Sequence, residues 1–456
     1  MQRSSTSRRN PKQSNVNNAK NTGAKLWRRA SAVIAGGTGL ISKRAEMFEA
    51  RDWPAYFSRC SGCEVWDLDG KRYLDFVGGV GAVVLGYADP DVTEAVRREL
   101  AAGTYCTLLS PKEVELAELL LKLHPWAGKV RYARGGGEAM AMSVRIARAA
   151  TGRSGVAFCG YHGWHDWYLA ANLGETDALN GHLLPGLEPR GVPRELRGTS
   201  VTFRYNDVKS FDEAIRQLGD NLAAVVMEPM RSQFPKDRFI DVVAKRCRAA
   251  GAVFVVDEVT SGLRFGFPGA LSRFGVEPDL VVYAKAMSNG FPFGVVIGRD
   301  DVMDRAGNSF ISSSSWTDAI GPAAALAVLK KTQRLRANEV VWSKGEKIQA
   351  GLRTVAERFP ACRFTVGGMP PALTTSFDLG AYSSLAQSLY VRKMRENGFI
   401  VSSYFYIMVA HEDEHINQLL EMVARVLGEI AEAIKAGRLA KESGAAQTQR
   451  GFARLT

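Results

Sequence analysis

Short apolar runs recur through the middle of this chain, and each is bounded by helical patterns or turns. They cover residues 156–159, 223–227, 253–256, 280–283 and 294–297. A strand with one face in water alternates between apolar and polar residues, whereas a strand covered on both faces by helices is apolar throughout. The runs therefore predict an α/β fold built on a mostly parallel, buried sheet.

Longer helical patterns follow this region, and a hairpin precedes it. The helical patterns cover residues 322–329, 340–359, 382–397 and 414–436. The hairpin covers residues 64–76, where the turn pair Asp69-Gly70 separates two alternating runs. We therefore predict a large domain over residues 76–325 and a smaller α+β domain over 326–440, with 25–75 packing against the smaller one. Residues 1–24 and 441–456 are predicted tails.

The net charge of +12 over 456 residues is concentrated at one end of the chain. Residues 1–45 contain ten Lys or Arg and no Asp or Glu, so the remainder is nearly balanced. We predict a disordered basic arm over residues 1–24 rather than a nucleic-acid surface, because no aromatic or Gly-Arg repeat accompanies the charge. No apolar run of about 20 residues predicts a membrane span. Six scattered cysteines are expected to be reduced thiols of a cytoplasmic protein.

Two short motifs resemble zinc-binding patterns, and neither predicts a metal site. The CxxC formed by Cys60 and Cys63 has no second pair and no nearby His in sequence. His411 and His415 fit H-E-x-x-H, but the motif lies where the last helical pattern begins. Its acidic residues suit the positive end of a helix dipole, so we expect no metal.

Polar residues follow the first four of these apolar runs, at what would be the carboxyl edge of the sheet. They are Tyr161-His162, Glu228, Asp257-Glu258 and Lys285, together with Gly135-Gly136-Gly137 after a short run at 130–133. Ligands of open α/β sheets bind at this edge. Pyridoxal 5′-phosphate (PLP) requires a phosphate turn, an aromatic ring cover, an acid for its pyridine nitrogen and a lysine. The combination predicts a PLP site.

The sequence also resembles a known family along roughly residues 25–437. Six stretches occur in the family's order: VWDLDGKRYLDFVGGVGAVVLGYADPDV, GGGEAMAMSVRIARAATGR, YHGWHD, VVMEP, VVDEVTSGLRFG and YAKAMSNGFPFGVVIGR. They resemble the class III aminotransferases of PLP fold type I, in particular the glutamate-1-semialdehyde aminomutase-like branch. The resemblance implies a large domain with a mostly parallel seven-stranded sheet and a smaller α+β domain. It implies amino transfer from a small-molecule donor to a carbonyl acceptor, or within one molecule as an aminomutase.

The resemblance also implies residue roles at the cofactor ring. Lys285 matches the lysine that forms the Schiff base, and its freed amine can move a proton. Asp257 matches the acid at the pyridine nitrogen, while strand alternation sends Glu258 the opposite way. Val259 and Tyr161 are expected on the two ring faces. The further candidates are Glu228 on the cofactor's oxygen side and His162.

The phosphate turn departs from the family, which usually has Ser-Gly-Thr before Glu-Ala. Here Gly135-Gly136-Gly137 leaves only backbone N–H groups and the start of a helix predicted over 138–150. The family completes this site with a hydroxyl from a partner subunit, which implies a homodimer. Ser314 is the best match, with Ser313 and Ser315 as alternatives.

Substrate contacts and the reaction type remain open at this point. Arg44 and Trp164 are the candidates for substrate contact. A PLP-dependent racemase or decarboxylase would use the same Lys285 and Asp257. A non-catalytic relative that binds a ligand is the other alternative.

Overall fold

The structure is a computed structural model that describes residues 21–49, 52–175, 177–179, 188–230 and 232–443. Within these ranges the strands are β1 (Phe57–Ser61), β2 (Glu64–Asp67), β3 (Arg72–Asp75), β4 (Lys129–Ala133), β5 (Gly155–Cys159), β6 (Ser200–Thr202), β7 (Leu222–Met227), β8 (Val253–Asp257), β9 (Leu280–Ala284), β10 (Gly294–Gly298), β11 (Phe364–Met369), β12 (Ala372–Phe377), β13 (Phe399–Ile400) and β14 (Tyr404–Tyr406). The α-helices are α1 (Thr22–Val33), α2 (Pro90–Ala102), α3 (Pro111–Leu123), α4 (Gly136–Thr151), α5 (Asp166–Leu169), α6 (Val208–Leu218), α7 (Phe239–Ala249), α8 (Asp300–Gly307), α9 (Ile320–Leu335), α10 (Ala337–Arg358), α11 (Ser383–Glu396), α12 (Asp413–Lys435) and α13 (Leu439–Ser443).

A seven-stranded sheet forms the centre of the molecule, in the order β4-β10-β9-β8-β7-β5-β6. Strands β9, β8, β7, β5 and β6 are parallel, whereas β10 is antiparallel to both of its neighbours. All residues of β5, β7, β8, β9 and β10 are buried, as their apolar sequences predict. The mostly parallel seven-stranded sheet is therefore confirmed.

The direction of the strands decides which loops meet. Because β10 is antiparallel to both β4 and β9, β4 runs in the same direction as β9. The carboxyl ends of β4, β5, β7, β8 and β9 therefore lie along one edge of the sheet. The loops that leave this edge carry all the polar residues predicted to follow the apolar runs, and the glycine turn.

Two smaller sheets complete the fold, with the orders β1-β2-β3-β13 and β11-β12-β14. The predicted hairpin is present as β2 and β3, and β13 from the C-terminal part pairs in parallel with β3. Lys71 Nζ also donates to Arg395 O at 3.1 Å, and Arg395 pairs with Glu49 at 2.6 Å. The N-terminal segment thus packs against C-terminal elements, while the domain boundaries at residues 76, 325 and 440 stay predictions.

The predicted tails are only partly within the described ranges. Residues 1–20 and 444–456 lie outside them, so the predicted basic arm is not described there. Helix α1 begins at Thr22, inside the predicted tail, and Asn21 Oδ1 accepts from Ala24 N at 3.4 Å to cap it. Across the described ranges, no helix is both long and apolar enough to cross a membrane.

The H-E-x-x-H motif has a structural use. His411 is fully buried in the loop before α12, where its Nδ1 accepts from Met408 N and its Nε2 lies 2.9 Å from Asp75 O. Burial lowers the pKa of His411 to about 3, so its ring is neutral. His415 Nδ1 accepts from Glu412 N and closes a capping box at the start of α12. Both imidazoles therefore hold the backbone at a helix end.

Candidate active site

Lys285 is the first residue after β9, and its backbone turns sharply there. Its φ of 49° is in the left-handed region, which non-glycine residues occupy at a conformational cost. Such strain persists where surrounding structure holds it and is concentrated at functional sites. The half-buried Lys285 places its Nζ 2.9 Å from Thr260 Oγ1, to which it donates. The ammonium group therefore lies beside the segment that follows Asp257.

Asp257 is the last residue of β8 and is paired with His162. Oδ2 of Asp257 lies 2.7 Å from Nδ1 of His162, and Oδ1 accepts from Val259 N at 2.8 Å. His162 Nε2 faces the carbonyl oxygen of Cys159 at 3.0 Å. Both ring nitrogens of His162 therefore face oxygen atoms, one on a carboxylate and one on a backbone carbonyl. The buried contacts with His162 and with Val259 N fix the orientation of the carboxylate.

Glu258 points away from this pair, as strand alternation predicts. Its carboxylate accepts from Ser261 Oγ and from Leu271 N, the latter at 2.7 Å, and it is fully buried. Burial is the largest influence on its pKa and raises it from 4.5 to about 7. Glu258 therefore helps to hold the loop after β8 and does not contact His162.

The raised pKa of Glu258 predicts a dependence of stability on pH. The folded protein binds the Glu258 proton more tightly than the unfolded chain does between pH 4.5 and about 7. This contribution to the free energy of unfolding is therefore complete below pH 4.5 and is lost as the pH rises through 7. Glu258→Gln should remove it, so that thermal unfolding at pH 5 and pH 8 differs less than in the wild type. An equal or larger difference in the variant would contradict the account.

The three glycines form a turn with no room for side chains at its centre. Gly135 is the N-cap of α4, and a Cβ on Gly136 would lie 2.8 Å from Val259 Cγ1. A Cβ on Gly163 would lie 2.8 Å from the Cα of Gly137, so the loop after β5 packs directly on the turn. The first N–H groups of a helix have no partner within that helix and favour anions. This backbone cradle fits a phosphate group.

The segment that contains Ser314 is attached to the same turn. The carboxylate of Glu138 accepts from Arg134 N at 2.7 Å and from Trp316 Nε1 at 3.0 Å. Arg134 Nη2 donates to the carbonyl oxygen of Asp318 at 2.8 Å. These bonds hold the segment against the start of α4, and Ser314 is exposed on its surface.

Two of the other predicted residues lie at the same edge of the sheet. Tyr161 directly follows the loop residue Gly160 and is half-buried, with its ring 5.9 Å from that of Tyr168 in an edge-to-face arrangement. Glu228 is buried directly after β7, and its Oε2 would lie 2.9 Å from a Cβ on Gly160. The same Cβ position would lie 3.5 Å from His162 Nε2, so Glu228 and His162 are neighbours beside Gly160.

The candidates for substrate contact lie further out. Trp164 is 70% exposed and stacks on His165 with ring centroids 4.4 Å apart. Arg44 packs against Gly36 in the N-terminal segment and lines a small cavity with Trp27 and Glu46. The structure brings Lys285, Asp257, His162, Glu228 and the glycine turn to one edge, and it does not place Arg44 in that group.

Thr260 and Trp316 contact the site but were not predicted from the sequence. Thr260 lies within VVDEVTSGLRFG, one of the stretches that resemble the family, but the sequence does not indicate its contact with Lys285. Trp316 is 178 residues from Glu138. No local pattern indicates such a contact.

The fold and these groups define a PLP-dependent enzyme of fold type I. An amine and a carboxylate lie at the ends of adjacent strands β9 and β8, and a backbone cradle for phosphate lies at the same edge. This donor set matches the needs of PLP. These groups lie on an α/β fold that has a mostly parallel seven-stranded sheet and two smaller sheets.

Comparison with known proteins identifies the family. Residues 48–427 match the model for "Aminotransferase class-III". The chain is 32% identical to 2′-deamino-2′-hydroxyneamine transaminase of Streptomyces kanamyceticus, over 89% of this chain and 98% of that protein. It is 30% identical to glutamate-1-semialdehyde 2,1-aminomutase of Nitrosomonas europaea, over 90% and 97% of the two chains. A solved transaminase with PLP bound is 26% identical, with a TM-score of 0.79 over 91% and 99%.

The chain belongs to the class III aminotransferase family, as predicted. It is an enzyme with PLP as cofactor, and it acts by amino-group transfer on small amino and carbonyl compounds. These relatives do not favour the alternatives of a racemase, a decarboxylase or a non-catalytic ligand-binding protein.

Proposed function

We propose that this enzyme moves an amino group from a donor to a carbonyl acceptor, or between neighbouring carbons, at the site that contains Lys285. The observation that carries the proposal is the position of Lys285 and Asp257 at the carboxyl ends of adjacent parallel strands, next to the glycine turn. When bound, PLP would supply an electron sink for the carbon that carries the amino group.

Lys285 is proposed to hold the cofactor covalently between turnovers and to move the proton during them. A displaced lysine amine is a suitable proton carrier if its pKa is near the working pH. Thr260 Oγ1, 2.9 Å from Nζ, limits where that amine can lie. The proton is therefore expected to be taken and returned on one face of the substrate.

Asp257 and His162 are proposed to keep the pyridine nitrogen of the cofactor protonated. Asp257 presents a buried carboxylate, and His162 holds it through the 2.7 Å contact. A buried carboxylate attracts a positive charge much more strongly than an exposed one. Val259 and Tyr161 are proposed to contact the ring faces, with Glu228 on the oxygen side.

Gly135, Gly136 and Gly137 are proposed to bind the phosphate through backbone N–H groups and the positive end of α4. Gly136→Ala should lower PLP affinity about tenfold or more, because an added methyl group overlaps Val259 and overpacking costs about 1–3 kcal/mol. Titration of the apoprotein with PLP, followed by absorbance, measures this. Gly135→Ala is the matched control, since nothing lies within 4 Å of its Cβ position. Equal affinities of the two variants would contradict the cradle.

A homodimer with shared sites is proposed from the exposed apolar surface next to Ser314. Leu108, Leu109 and Phe310 are 80%, 69% and 88% exposed. The loop with both leucines lies beside the Ser314 segment, because Ala319 N donates to Thr104 O at 3.0 Å. A surface of this kind is typical of a protein interface. Ser314 is proposed to donate its hydroxyl to the partner's phosphate.

Leu108→Asp should therefore yield a monomer with strongly reduced activity, because a carboxylate at the centre of an apolar interface is costly to bury. Sedimentation velocity measures the oligomeric state. Leu68→Asp, on the hairpin between β2 and β3, is the control and should leave it unchanged. A wild-type protein that sediments as a monomer would contradict the dimer.

The two forms of the reaction can be separated by one assay of the PLP-loaded enzyme. An aminotransferase is converted to the pyridoxamine form by an external donor such as L-glutamate or L-alanine. An aminomutase moves the amino group of a compound such as glutamate 1-semialdehyde to the neighbouring carbon without any donor. No conversion in either the donor assay or the donor-free assay would contradict the proposal.

Arg44 and Trp164 stay candidates for substrate contact. Their alanine variants test this as changes in KM.

A cytoplasmic location is proposed from the cysteines. All six are free thiols, including the buried Cys63, Cys159, Cys247 and Cys362. Thiols persist unpaired in reducing compartments. Fractionation of cells that produce the full chain tests this location.

A further inference from the structure

Residues 77–87, which we call the glycine segment, follow β3 with an unusual backbone. The residues with positive φ in it are Gly78, Gly79, Val80, Gly81 and Gly86. Val80 has a φ of 61°, which is an outlier for a β-branched residue. Such a conformation persists only when the surrounding structure imposes it, and it is concentrated at functional sites.

The glycine segment forms one wall of a cavity of about 640 Å³. Val80 and Val83 line it, and so do Asn289, Gly290 and Phe291 from the turn that begins at Lys285. A Cβ on Gly290 would lie 3.4 Å from Val83, so segment and turn are in contact. The volume is in the range of small-molecule sites. The cavity therefore reaches the end of the turn that begins at Lys285.

Arg264 holds the middle of the glycine segment. It is fully buried, and its Nη2 donates to Val83 O at 2.8 Å and to Gly81 O at 3.3 Å, while Nη1 donates to Ile407 O. Within the described ranges no carboxylate forms an ion pair with it. A buried cation without an anionic partner is costly. The guanidinium instead donates hydrogen bonds to three backbone carbonyls, which an apolar side chain could not do.

Asn289 holds the second half of the glycine segment. Its Oδ1 accepts from the N–H groups of Val84 and Leu85, both at 3.0 Å, and its Nδ2 donates to Gly86 O at 2.8 Å. Asn289 itself has a φ of 50° at the end of the Lys285 turn. The side-chain amide of Asn289 thus forms hydrogen bonds with three consecutive residues of the glycine segment.

We propose that this cavity receives the substrate, and that Arg264 and Asn289 are positioning residues that fix the glycine segment as its wall. Arg264 follows Asp257 by seven residues and Asn289 follows Lys285 by four. The loop after β8 and the turn after β9, which carry the proposed site residues, therefore both bind the glycine segment. The proposal rests on the proposed function of Lys285. The two residues would set discrimination between amino donors of different size, while PLP binding depends on the cradle.

Asn289→Gly in the full-length, PLP-loaded enzyme tests this, because glycine adopts the left-handed backbone readily. Hydrogen–deuterium exchange of the peptide that spans residues 77–87 should become at least about tenfold faster, because the variant loses three hydrogen bonds to this segment. Asn206→Gly is the matched control: Asn206 has a φ of 62° and holds Lys236 N at 2.9 Å and Phe234 O at 3.1 Å. It should leave exchange in the glycine segment unchanged.

The kinetic readout is the ratio of kcat/KM for L-alanine to that for L-phenylalanine, measured as conversion to the pyridoxamine form. Asn289→Gly should change this ratio about tenfold, which corresponds to a change of about 1.4 kcal/mol in the preference for one donor over the other. The PLP content of the variant should be unchanged. Val80→Gly, which relieves the strained backbone and removes a side chain that lines the cavity, should change the ratio with unchanged PLP content. Arg264→Lys, which keeps a cation, should speed exchange less than Arg264→Met.

Unchanged exchange in residues 77–87, an unchanged ratio in both Asn289→Gly and Val80→Gly, or loss of PLP from Asn289→Gly would each overturn the inference. Failure of the proposed function is distinguishable from these results. It would appear as a wild-type enzyme that no donor converts. The exchange of the glycine segment would still decide whether Arg264 and Asn289 hold it.

Discussion

Replacing Lys285 with alanine should lower the turnover number by at least about 10⁴-fold, the upper range for one positioned proton-transfer group. The variant loses both the covalent attachment of PLP and the amine that moves the proton. Steady-state rates with L-glutamate or L-alanine as donor measure the loss. Added methylamine should restore part of the rate, because it can carry the proton in place of the missing side chain.

Lys71→Ala is the matched lysine control. Lys71 is bonded to backbone carbonyls of Arg395 and Glu396 in the four-stranded sheet region, at 3.1 and 2.9 Å. Its removal should lower stability and leave the turnover number close to the wild-type value. A Lys285→Ala enzyme with wild-type turnover would rule out the proposed role of Lys285.

Asp257→Asn should lower kcat about 10²–10³-fold, the typical effect of removing one preorganised electrostatic group. The amide has the same shape but no negative charge, so the pyridine nitrogen is no longer held protonated. His162 would then face an amide in place of the carboxylate. PLP should still bind through the glycine turn, so kcat should fall while the PLP content stays at the wild-type level.

Glu258→Gln is the matched control for this carboxylate. Glu258 is adjacent and equally buried, but its hydrogen bonds go to Ser261 and Leu271. It should keep kcat within about threefold, since no charged group is removed from the cofactor side. A large loss in Glu258→Gln combined with wild-type rates in Asp257→Asn would mean that the acid was assigned to the wrong residue.

The sheet and the edge that carries the site were predictable from local sequence. Five apolar runs became buried strands, because helices on both faces require strands without polar residues. The reversed direction of β10 was not predictable. A buried antiparallel strand is as apolar as a parallel one, so composition does not report direction.

The contacts within the site were less accessible to sequence reasoning. His162 and Asp257 are 95 residues apart, and their 2.7 Å contact depends on the parallel register of β5, β7 and β8. Short elements were missed for a different reason. Strand β6 has three residues and β11 contains Gly367 and Gly368, so neither shows a clear alternating pattern. Helix α4 begins at Gly136, two residues before the predicted start, because a glycine N-cap leaves no side-chain signal.

The most direct test is to locate the covalently bound cofactor. The PLP-loaded enzyme would be reduced with borohydride, digested and analysed by peptide mass spectrometry, with and without prior exposure to an effective amino donor. We expect a phosphopyridoxyl group on Lys285 in the resting enzyme, and its absence after the donor has converted the cofactor to the pyridoxamine form. A modified lysine elsewhere, or a Lys285 adduct that the donor does not remove, would contradict this expectation.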